Sequence, residues 1–410
     1  MPSSQAFIAK AFSEYYHQSQ VQTPSSMEKR EFAFLTLGDK MMLRHKHFAA
    51  TEFFQKFLAS LVPSDVYCSC AYYDDPEAEM DKKGWEGADL VFDIDADHIP
   101  TTCGKVHDEW TCGGCGFAGK GLTPGKCPVC GGEKFDVKTW PCNECLRSAK
   151  DETIKLLDML LNDFGFSESE THVFFSGHRG YHVHVESEIV KTIDSNARKE
   201  IADYACGLGL DSGFLGFDEK RIRGTHVPKR LKLGESGWRG RISKNMYDFI
   251  RNAKREDYRS LGLNRGVIET IVGNRDVILK SWDDKGPYRA AKGIGLETWR
   301  RIFGHSMFSA SAKIDTVVTT DTHRLIRLAG TLHGKTGLKK IEFPLSKIEE
   351  FDPFKSAVVF KKGTATVLVS DAPEFKLGEE TFGPYKKQRV KLPTAAAVLL
   401  VCRDRAEVVE

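Results

Sequence analysis

The sequence predicts an α/β (α+β) fold in which a metal-binding module and a mainly helical region interrupt a sheet-containing core. Short strand-like apolar runs alternate with amphipathic helical segments toward both ends of the chain. Seven of the eleven cysteines lie between Cys103 and Cys145, in a stretch with few apolar residues. From residue 189 to residue 302 the sequence is polar, helical in periodicity and interrupted by glycines.

Length and composition allow a substantial core. The chain has 410 residues, of which 41% are hydrophobic, enough for one large domain or two to three ordinary ones. Residues 1–10 lack the basic-then-apolar order of a signal peptide, and no run approaches the roughly 18 apolar residues of a membrane span. We therefore expect a cytoplasmic protein with no membrane partner.

The first hundred residues predict two helices and several strands. Helices are expected where apolar residues recur at helical spacing, and strands where β-branched and aromatic residues cluster. The expected helices are residues 5–18 and 50–61, and the expected strands lie within 30–34, 66–73 and 89–95.

Two carboxylates share one face of the last of these strands. Alternation places Leu90, Phe92 and Ile94 on one side. Asp93 and Asp95 then lie on the other, with Cα atoms about 7 Å apart. That spacing suits the metal ions of two-metal sites, which lie roughly 4 Å apart. Taken alone the pair is equally typical of a strand end or a solvated face. Asp97 and His98 follow, but the strand is expected to end before Asp97, which is left out of the catalytic set.

The cysteine-rich region, residues 101–140, requires a bound metal to fold because it has too few apolar residues for a core. Two C-x-x-C pairs with glycine knuckles have the spacing of a zinc ribbon. A redox site would instead place one C-x-x-C beside a βαβ unit, which is absent. The predicted ligands are Cys112, Cys115, Cys127 and Cys130, and the thiols expected to have no metal role are Cys68, Cys70, Cys206 and Cys402.

A glycine-bounded turn follows a predicted helix at residues 151–164. It joins strands at 171–176 and 181–186 and reads Ser-Gly-His-Arg-Gly-Tyr-His from Ser176. Arginine can bind phosphate bidentately, a serine hydroxyl can donate to another oxygen, and glycine lets the backbone approach. The turn is therefore a candidate triphosphate site, although an ordinary hairpin has the same form.

Basic residues lie beside glycines again in residues 320–337, where Arg327 and His333 are the strongest phosphate candidates. The alternative is a short amphipathic helix with exposed arginines. This segment belongs to a β-rich part expected at residues 313–370. After residue 372 the sequence predicts no element.

A basic stretch lies within the helical region. Residues 220–244 contain nine Lys or Arg against one acid, Glu235, although the formal net charge of the chain is only +2. A local basic surface is sufficient to attract a polyanion, so we expect this stretch to contact nucleic acid or nucleotide. A solvated loop is the alternative.

Four ordered motifs resemble the small subunit of archaeo-eukaryotic DNA primases, from about residue 30 to residue 340. They are LVFDID, an insert ending in PCNEC, SGHRGYH, and an Ile-Asp pair followed by RLIRLAGTLHGKTG; Arg30-Glu31-Phe32 and Arg44 extend the likeness. The resemblance implies a primase catalytic core with an RRM-like sheet, an inserted zinc-binding module and a helical subdomain.

The resemblance also implies roles for individual residues. Asp93, Asp95 and Asp315 match the family's aspartates that bind Mg²⁺ or Mn²⁺, whereas Ser176, Arg179, His182, Arg327 and His333 match its nucleotide-binding residues. Two positions depart from the family, because Asp89 replaces the Glu usual in eukaryotic members and His178 replaces an Arg found in some. The family's structural Zn²⁺ site corresponds to Cys103, His107, Cys142 and Cys145.

The local sequence also indicates which aspartate is the third metal ligand. Asp315 lies between Ile314 and Thr316-Val317-Val318, which predicts a strand. Asp321 precedes His323 and reads as a helix N-cap. A strand holds a carboxylate rigidly, which favours Asp315 as the metal ligand.

The activity implied is that of a DNA primase catalytic subunit, which joins nucleoside triphosphates into short primers on a single-stranded DNA template and works as a heterodimer with a large iron–sulfur subunit. One alternative is a stand-alone primase-polymerase or repair polymerase of the same fold. Another is a zinc-ribbon nucleic-acid-binding module with a degenerate core, against which the three aspartates argue. The expected division is core at residues 1–100, 151–190 and 306–375, zinc module at 101–150, helical subdomain at 191–305 and C-terminal tail at 376–410.

Overall fold

The computed structural model describes residues 4–211, 213, 231–284 and 286–409. Its helices, in chain order, are α1 (Ser4–Gln18), α2 (Thr51–Leu61), α3 (Asn143–Asn162), α4 (Glu188–Lys191), α5 (Ser195–Cys206), α6 (Gly237–Asn252), α7 (Arg255–Ser260), α8 (Arg265–Gly273), α9 (Arg275–Lys280), α10 (Pro287–Ala290), α11 (Leu296–Ala310), α12 (Thr316–Thr320), α13 (Pro353–Ser356) and α14 (Thr394–Cys402).

The strands are mostly short. They are β1 (Phe32–Leu35), β2 (Met42–Lys46), β3 (Asp65–Ser69), β4 (Ala71–Tyr73), β5 (Trp85–Ala88), β6 (Leu90–Asp95), β7 (Glu109–Cys112), β8 (Ala118–Lys120), β9 (Phe135–Lys138), β10 (Thr171–Phe175), β11 (Gly180–Val185), β12 (Leu325–Arg327), β13 (Ile341–Phe343), β14 (Thr364–Ala372), β15 (Phe375–Leu377), β16 (Glu380–Phe382), β17 (Tyr385–Pro393) and β18 (Ala406–Val408).

The chain divides into two compact units. The first contains residues 1–154, 167–199 and 314–410, and the second contains residues 155–166 and 200–313. The first holds the sheets, so the predicted α/β class is confirmed. The second is helical throughout its described residues; Trp282 and Trp299 are 1% exposed in its interior.

Two four-stranded antiparallel sheets dominate the first unit. One has the order β12-β3-β1-β2 and the other the order β13-β10-β11-β6. In the second sheet Asp93 of β6 pairs with His182 of β11, and Asp95 pairs with Gly180. The register therefore brings the predicted aspartate strand directly beside the predicted phosphate turn.

The cysteine-rich insert carries its own small sheet, with the order β8-β7-β9. Trp110 of β7 is 7% exposed and packs edge-on against Phe135 of β9, with ring centroids 5.4 Å apart. Phe117 also packs against Trp110, with ring centroids 5.9 Å apart. Three aromatic rings are a small core, which agrees with the need for a bound metal.

The C-terminal segment, for which the sequence predicts no element, is ordered. Strands β14, β17 and β18 form a three-stranded antiparallel sheet. Helix α14 packs on it and is buried along most of its length. Because α14 is apolar all round, its sequence lacks the amphipathic period that marks a surface helix.

The predicted secondary structure around the third aspartate was wrong. Asp315 lies at the N-cap of α12 rather than on a strand, and its side chain accepts a hydrogen bond from the Val317 amide. Asp321 lies at the C-cap of the same helix and is followed by β12 rather than by a helix. The β-branched run 316–320 favours strands intrinsically, but the cap and the tertiary context override that preference.

None of the helices in the described residues combines the length and apolar character that crossing a bilayer requires.

Candidate active site and metal centres

Asp93 and Asp95 lie on one face of β6, as the alternation predicts. Phe92 and Ile94, which alternate with them along the strand, are fully buried, whereas both aspartates are partly exposed. The side chain of Asp93 is 28% exposed and lies beside the ring of His182, with Oδ1 3.5 Å from Nε2. Strand β6 thus presents two carboxylates toward its neighbour β11.

Asp315 joins this pair from a different element. Its backbone amide donates a hydrogen bond of 2.9 Å to the carbonyl oxygen of Asp93. Burial, and then the nearby carboxylates of Asp95 and Asp315, raise the pKa of Asp93 to about 7. A carboxyl group whose pKa is raised by two neighbouring carboxylates belongs to a donor set that a divalent cation would neutralise, so the residues fit such an ion.

Asp95 also organises the backbone that follows β6. Its side chain accepts a 2.9 Å hydrogen bond from the Asp97 amide and so caps the turn Ala96–His98. Burial raises the pKa of Asp95, while Arg179, His98 and other nearby cations oppose that rise.

The Ser176 turn has the geometry of a phosphate-binding loop. Ser176 Oγ accepts hydrogen bonds from the amides of His178, at 3.3 Å, and Gly180, at 3.2 Å, so its own proton remains free to be donated. A Cβ at Gly180 would lie 2.2 Å from the carbonyl oxygen of Ile94, which excludes other residues there. Gly177 adopts φ 89°, a left-handed conformation that glycine permits.

Arg179 is buried and already has two carboxylate partners. It is 1% exposed, Nη1 lies 2.8 Å from Oδ2 of Asp108, and Nη2 is bonded to Asp97. Asp108 is itself buried, whereas the Asp97 side chain is 39% exposed. A phosphate could therefore compete for Arg179 with Asp97 more readily than with Asp108.

Three histidines near the turn are held neutral. Burial lowers the pKa of His178, His182 and His333 well below the ordinary value, and nearby cations lower it further. The rings of His178 and His333 stack with centroids 5.0 Å apart. Nδ1 of His182 is buried without a hydrogen-bond partner.

Arg327 lies on β12 and is 9% exposed. Its guanidinium is bonded to Asp65 and donates to the carbonyl of Leu332 at 3.2 Å. The amide of Gly334 donates to the same Asp65 carboxylate at 3.0 Å. Asp65 thus joins Arg327 to the loop that carries His333.

Sequence reasoning missed Asp65, Asp108 and Lys340. Lys340 is 1% exposed and donates from Nζ to the carbonyl of Arg327 at 2.8 Å. Each is a single charged residue with no local pattern around it. A weak signal existed only for Asp108, because an acid directly after a ligand histidine commonly orients that histidine.

Cys103, His107, Cys142 and Cys145 form the first metal-binding cluster, the same four residues that the resemblance implies. Cys103 Sγ lies 3.6 Å from Cys145 Sγ, 3.8 Å from Cys142 Sγ and 3.5 Å from His107 Nε2. A tetrahedral zinc site with bonds of about 2.3 Å requires sulfur atoms about 3.8 Å apart. The donor set and the spacing therefore both fit Zn²⁺.

Two thiols of this cluster affect each other's pKa through a hydrogen bond. The hydrogen bond from Cys145 lowers the pKa of Cys142 to about 3, and the same bond raises the pKa of Cys145. A bound metal would deprotonate both thiols. His107 Nδ1 lies 2.7 Å from Oδ1 of Asp108, an arrangement that presents Nε2 to the metal.

The second cluster consists of the four cysteines for which the sequence predicts a zinc ribbon. Cys112, Cys115, Cys127 and Cys130 come together, with Sγ–Sγ distances of 3.5 Å for Cys112–Cys130 and 3.7 Å for Cys115–Cys127. Gly114 and Gly132 lie against these sulfurs, where a Cβ would be in contact with Sγ of Cys130. The eight ligand atoms thus form the two groups expected from the sequence.

The basic stretch at 220–244 lies partly outside the described residues, since 220–230 are not described. In the rest, Trp238 is buried near the start of α6, Arg239 pairs with Glu235, and Arg241 pairs with Asp158 and Asp163. These two arginines are already neutralised within the second unit.

Known proteins match this chain over nearly its whole length. Residues 136–344 match the DNA primase small subunit family. The chain is 31% identical to the DNA primase small subunit PriS of Nitrosopumilus maritimus, covering 98% of both proteins. It is 31% identical to PriS of Methanococcoides burtonii and 32% identical to PriS of Methanosarcina barkeri, with 98% of this chain and 97% and 96% of those proteins covered.

Proposed function

Because this chain belongs to the DNA primase small subunit family, we propose which of its side chains carry out primer synthesis. The chain is a DNA primase catalytic subunit and therefore a DNA-directed nucleotidyltransferase of DNA replication. Its substrates are single-stranded DNA template and nucleoside triphosphates.

Asp93, Asp95 and Asp315 are the proposed ligands of Mg²⁺ or Mn²⁺. When bound, such ions activate the 3′-hydroxyl of the primer and neutralise charge on the leaving pyrophosphate. The chain holds the three carboxylates together through the antiparallel strands and the Asp315–Asp93 backbone bond. The ring of His182 lies beside Asp93, and its Nδ1, which has no partner among the described residues, can donate to a phosphate oxygen in the tautomer that carries the proton there.

The proposed phosphate-binding residues surround the Ser176 turn. Ser176 donates its hydroxyl proton, and Arg179 provides positive charge behind the turn. Arg327 and His333 close the opposite side. The set we propose for nucleotide binding is Ser176, Arg179, His182, Arg327 and His333.

Zn²⁺ is the proposed ion for both cysteine clusters, with a structural role, because neither set of four protein ligands leaves an open position for a substrate. A large iron–sulfur subunit is the proposed partner and the cytoplasm the proposed location. The domain boundaries given above remain a prediction.

The single observation that supports this site best is the register of β6 with β11, which pairs Asp93 with His182 and Asp95 with Gly180. Metal-binding and phosphate-binding residues thereby lie on neighbouring strands. The test is primer synthesis from nucleoside triphosphates on an unprimed single strand, with Asp95→Asn as the variant. We expect synthesis by the wild type and none by the variant, each measured with and without a large subunit.

Asp75→Asn is a suitable control, since Asp75 lies in a surface turn outside the site and should leave synthesis unchanged. Extension of an existing primer without initiation would favour the stand-alone polymerase alternative. Near-normal synthesis by Asp95→Asn would contradict the proposed site.

A further inference from the structure

Arg403 follows α14, at the C-terminal end of the segment for which the sequence predicts no element. Its side chain extends toward the Ser176 turn, which belongs to the same unit. Arg403 is 8% exposed. Nη1 lies 3.5 Å from Nε2 of His178, and Nη2 donates to Thr139 Oγ1 at 3.5 Å. Both contacts are at the long limit for hydrogen bonds, and Nε has no partner at all.

The guanidinium of Arg403 has no carboxylate at ion-pair distance within the described part of the chain. Asp108 and Asp404 act on it only at longer range, and Arg405 opposes them. Burying a charge is costly unless it is paired, so this guanidinium requires an anion.

Other buried arginines of the same unit have stronger partners. Arg198, which has no carboxylate partner in the described part of the chain, donates four hydrogen bonds of 2.7–3.1 Å to backbone carbonyls. Arg30 pairs with Asp89 at 2.8 Å, and Arg179 pairs with Asp108. Arg405, two residues beyond Arg403, pairs with Glu109 at 2.9 Å. Weak, neutral contacts are therefore a feature of Arg403 and not of buried arginines in this unit generally.

The groups around Arg403 strengthen the positive potential. His178 stacks on His333, and the charges of Arg403, Lys335 and Arg327 act together on both rings. Arg403 also opposes the positive charge of Arg179. Arg327 and Arg179 have carboxylate partners, whereas Arg403 adds a charge that has none in the described residues, so the group as a whole favours an anion with several charges.

We propose that Arg403 binds phosphate oxygens of the incoming nucleoside triphosphate, so that the C-terminal segment completes the nucleotide site. This inference rests on the proposed function, because the ligand is the triphosphate of the same substrate. Arg403 approaches His178, the position where some family members carry an arginine in the turn itself. Here a guanidinium from a distant part of the chain supplies the charge.

The test compares Arg403→Gln with Arg405→Gln, in which the buried arginine and its half-buried neighbour in the same segment are replaced in turn. Binding of a nucleoside triphosphate and of inorganic tripolyphosphate is measured by titration calorimetry, and KM and kcat by primer synthesis. We expect Arg403→Gln to weaken both ligands about tenfold or more and to raise KM more than it lowers kcat. Arg405→Gln should change ligand binding less than twofold.

Thermal unfolding separates a binding role from a structural one. Removing an unpaired buried charge should leave the Tm of the ligand-free protein unchanged or higher, but the rise in Tm on adding tripolyphosphate should shrink. Arg405→Gln should lower Tm, because Glu109 loses its partner. Arg403→Lys, which keeps the charge, should restore part of the affinity and serves if the Gln variant does not fold.

Normal triphosphate affinity in both Arg403 variants, together with weakened binding in His333→Ala, would overturn the role of Arg403 and leave the proposed site standing. If His333→Ala also binds normally, the proposed nucleotide site itself is wrong.

Discussion

The backbone amide of Asp315 donates a 2.9 Å hydrogen bond to the carbonyl oxygen of Asp93. Two aspartates more than two hundred positions apart in the sequence are thereby joined through the main chain. The bond ties the N-terminus of α12 to β6. The position of the third carboxylate thus depends on backbone geometry rather than on a flexible side chain.

Asp315→Asn should abolish primer synthesis and leave the fold intact. The amide oxygen can still accept the Val317 hydrogen bond that caps α12, whereas Asp315→Ala would also lose that cap at about 1 kcal/mol. Asp321→Asn is the matched control, since the Asp321 side chain accepts from the His323 amide and lies 4.0 Å from Arg324, outside the proposed site, and the variant should keep its activity. Synthesis rates and Tm measure both effects. A dead Asp321→Asn beside an active Asp315→Asn would reverse the assignment.

His333→Ala should weaken nucleotide binding by about 1.5–3 kcal/mol, the worth of a hydrogen bond to a charged group. Because His333 stacks on His178 and makes no ion pair with any residue that the structure describes, its loss should affect KM more than stability. Arg179→Ala should behave differently, since it deprives buried Asp108 of its charge partner and should cost about 3–5 kcal/mol of folding stability. Steady-state kinetics and urea unfolding of both variants provide the check. Equal free energies of unfolding for the two variants would count against a stabilising Arg179–Asp108 pair.

The residues that could be predicted are those with a local signature. Alternation identified the shared face of Asp93 and Asp95, and spacing identified the ribbon cysteines. No local pattern marks Arg403, which meets His178 across 225 positions of sequence. The strand predicted at Asp315 was wrong because a β-branched run favours strands unless a cap and its tertiary partner impose a helix.

Two zinc ions per chain are expected in metal analysis of the purified protein. Serine at Cys142 should remove the first cluster at the start of α3 and lower solubility, since structural zinc sites contribute directly to folding. Serine at Cys112 should disturb only the sheet β7–β9. One zinc per chain in the wild type would leave only one cluster as a zinc site.

Acid stability should depend on His184 of β11. Burial lowers its pKa well below 6.5, so the folded state resists protonation while the unfolded state takes up a proton as pH falls through about 6.5. The effect of His184 on the free energy of unfolding is therefore absent above that pH, and below it His184 destabilises the folded state. Relative to wild type, His184→Gln should therefore be more stable at pH 5.5 than at pH 8 by about 1 kcal/mol. Urea unfolding at both values measures this, and a pH-independent difference would contradict it.

Charge reversal within residues 220–230 should weaken template binding and flatten its dependence on salt. Each lost phosphate contact removes about one unit from the slope of affinity against salt concentration on logarithmic scales. Arg239 and Arg241, already ion-paired, serve as the comparison. Unaltered affinity and salt slope in a Lys229→Glu, Arg230→Glu variant would exclude this stretch from the template surface.

Asp108 accepts from Arg179 with both oxygens, and Oδ1 also lies against the ring of His107, a proposed zinc ligand. One carboxylate is therefore shared between the cysteine-rich insert and the turn that we propose to bind phosphate. A chelator that removes zinc from this protein should therefore disturb the contact of Asp108 with Arg179 as well as its contact with His107. A loss of primer synthesis after chelation then reports the removal of zinc as well as the removal of the catalytic ions. Restoring activity should require zinc in addition to magnesium or manganese.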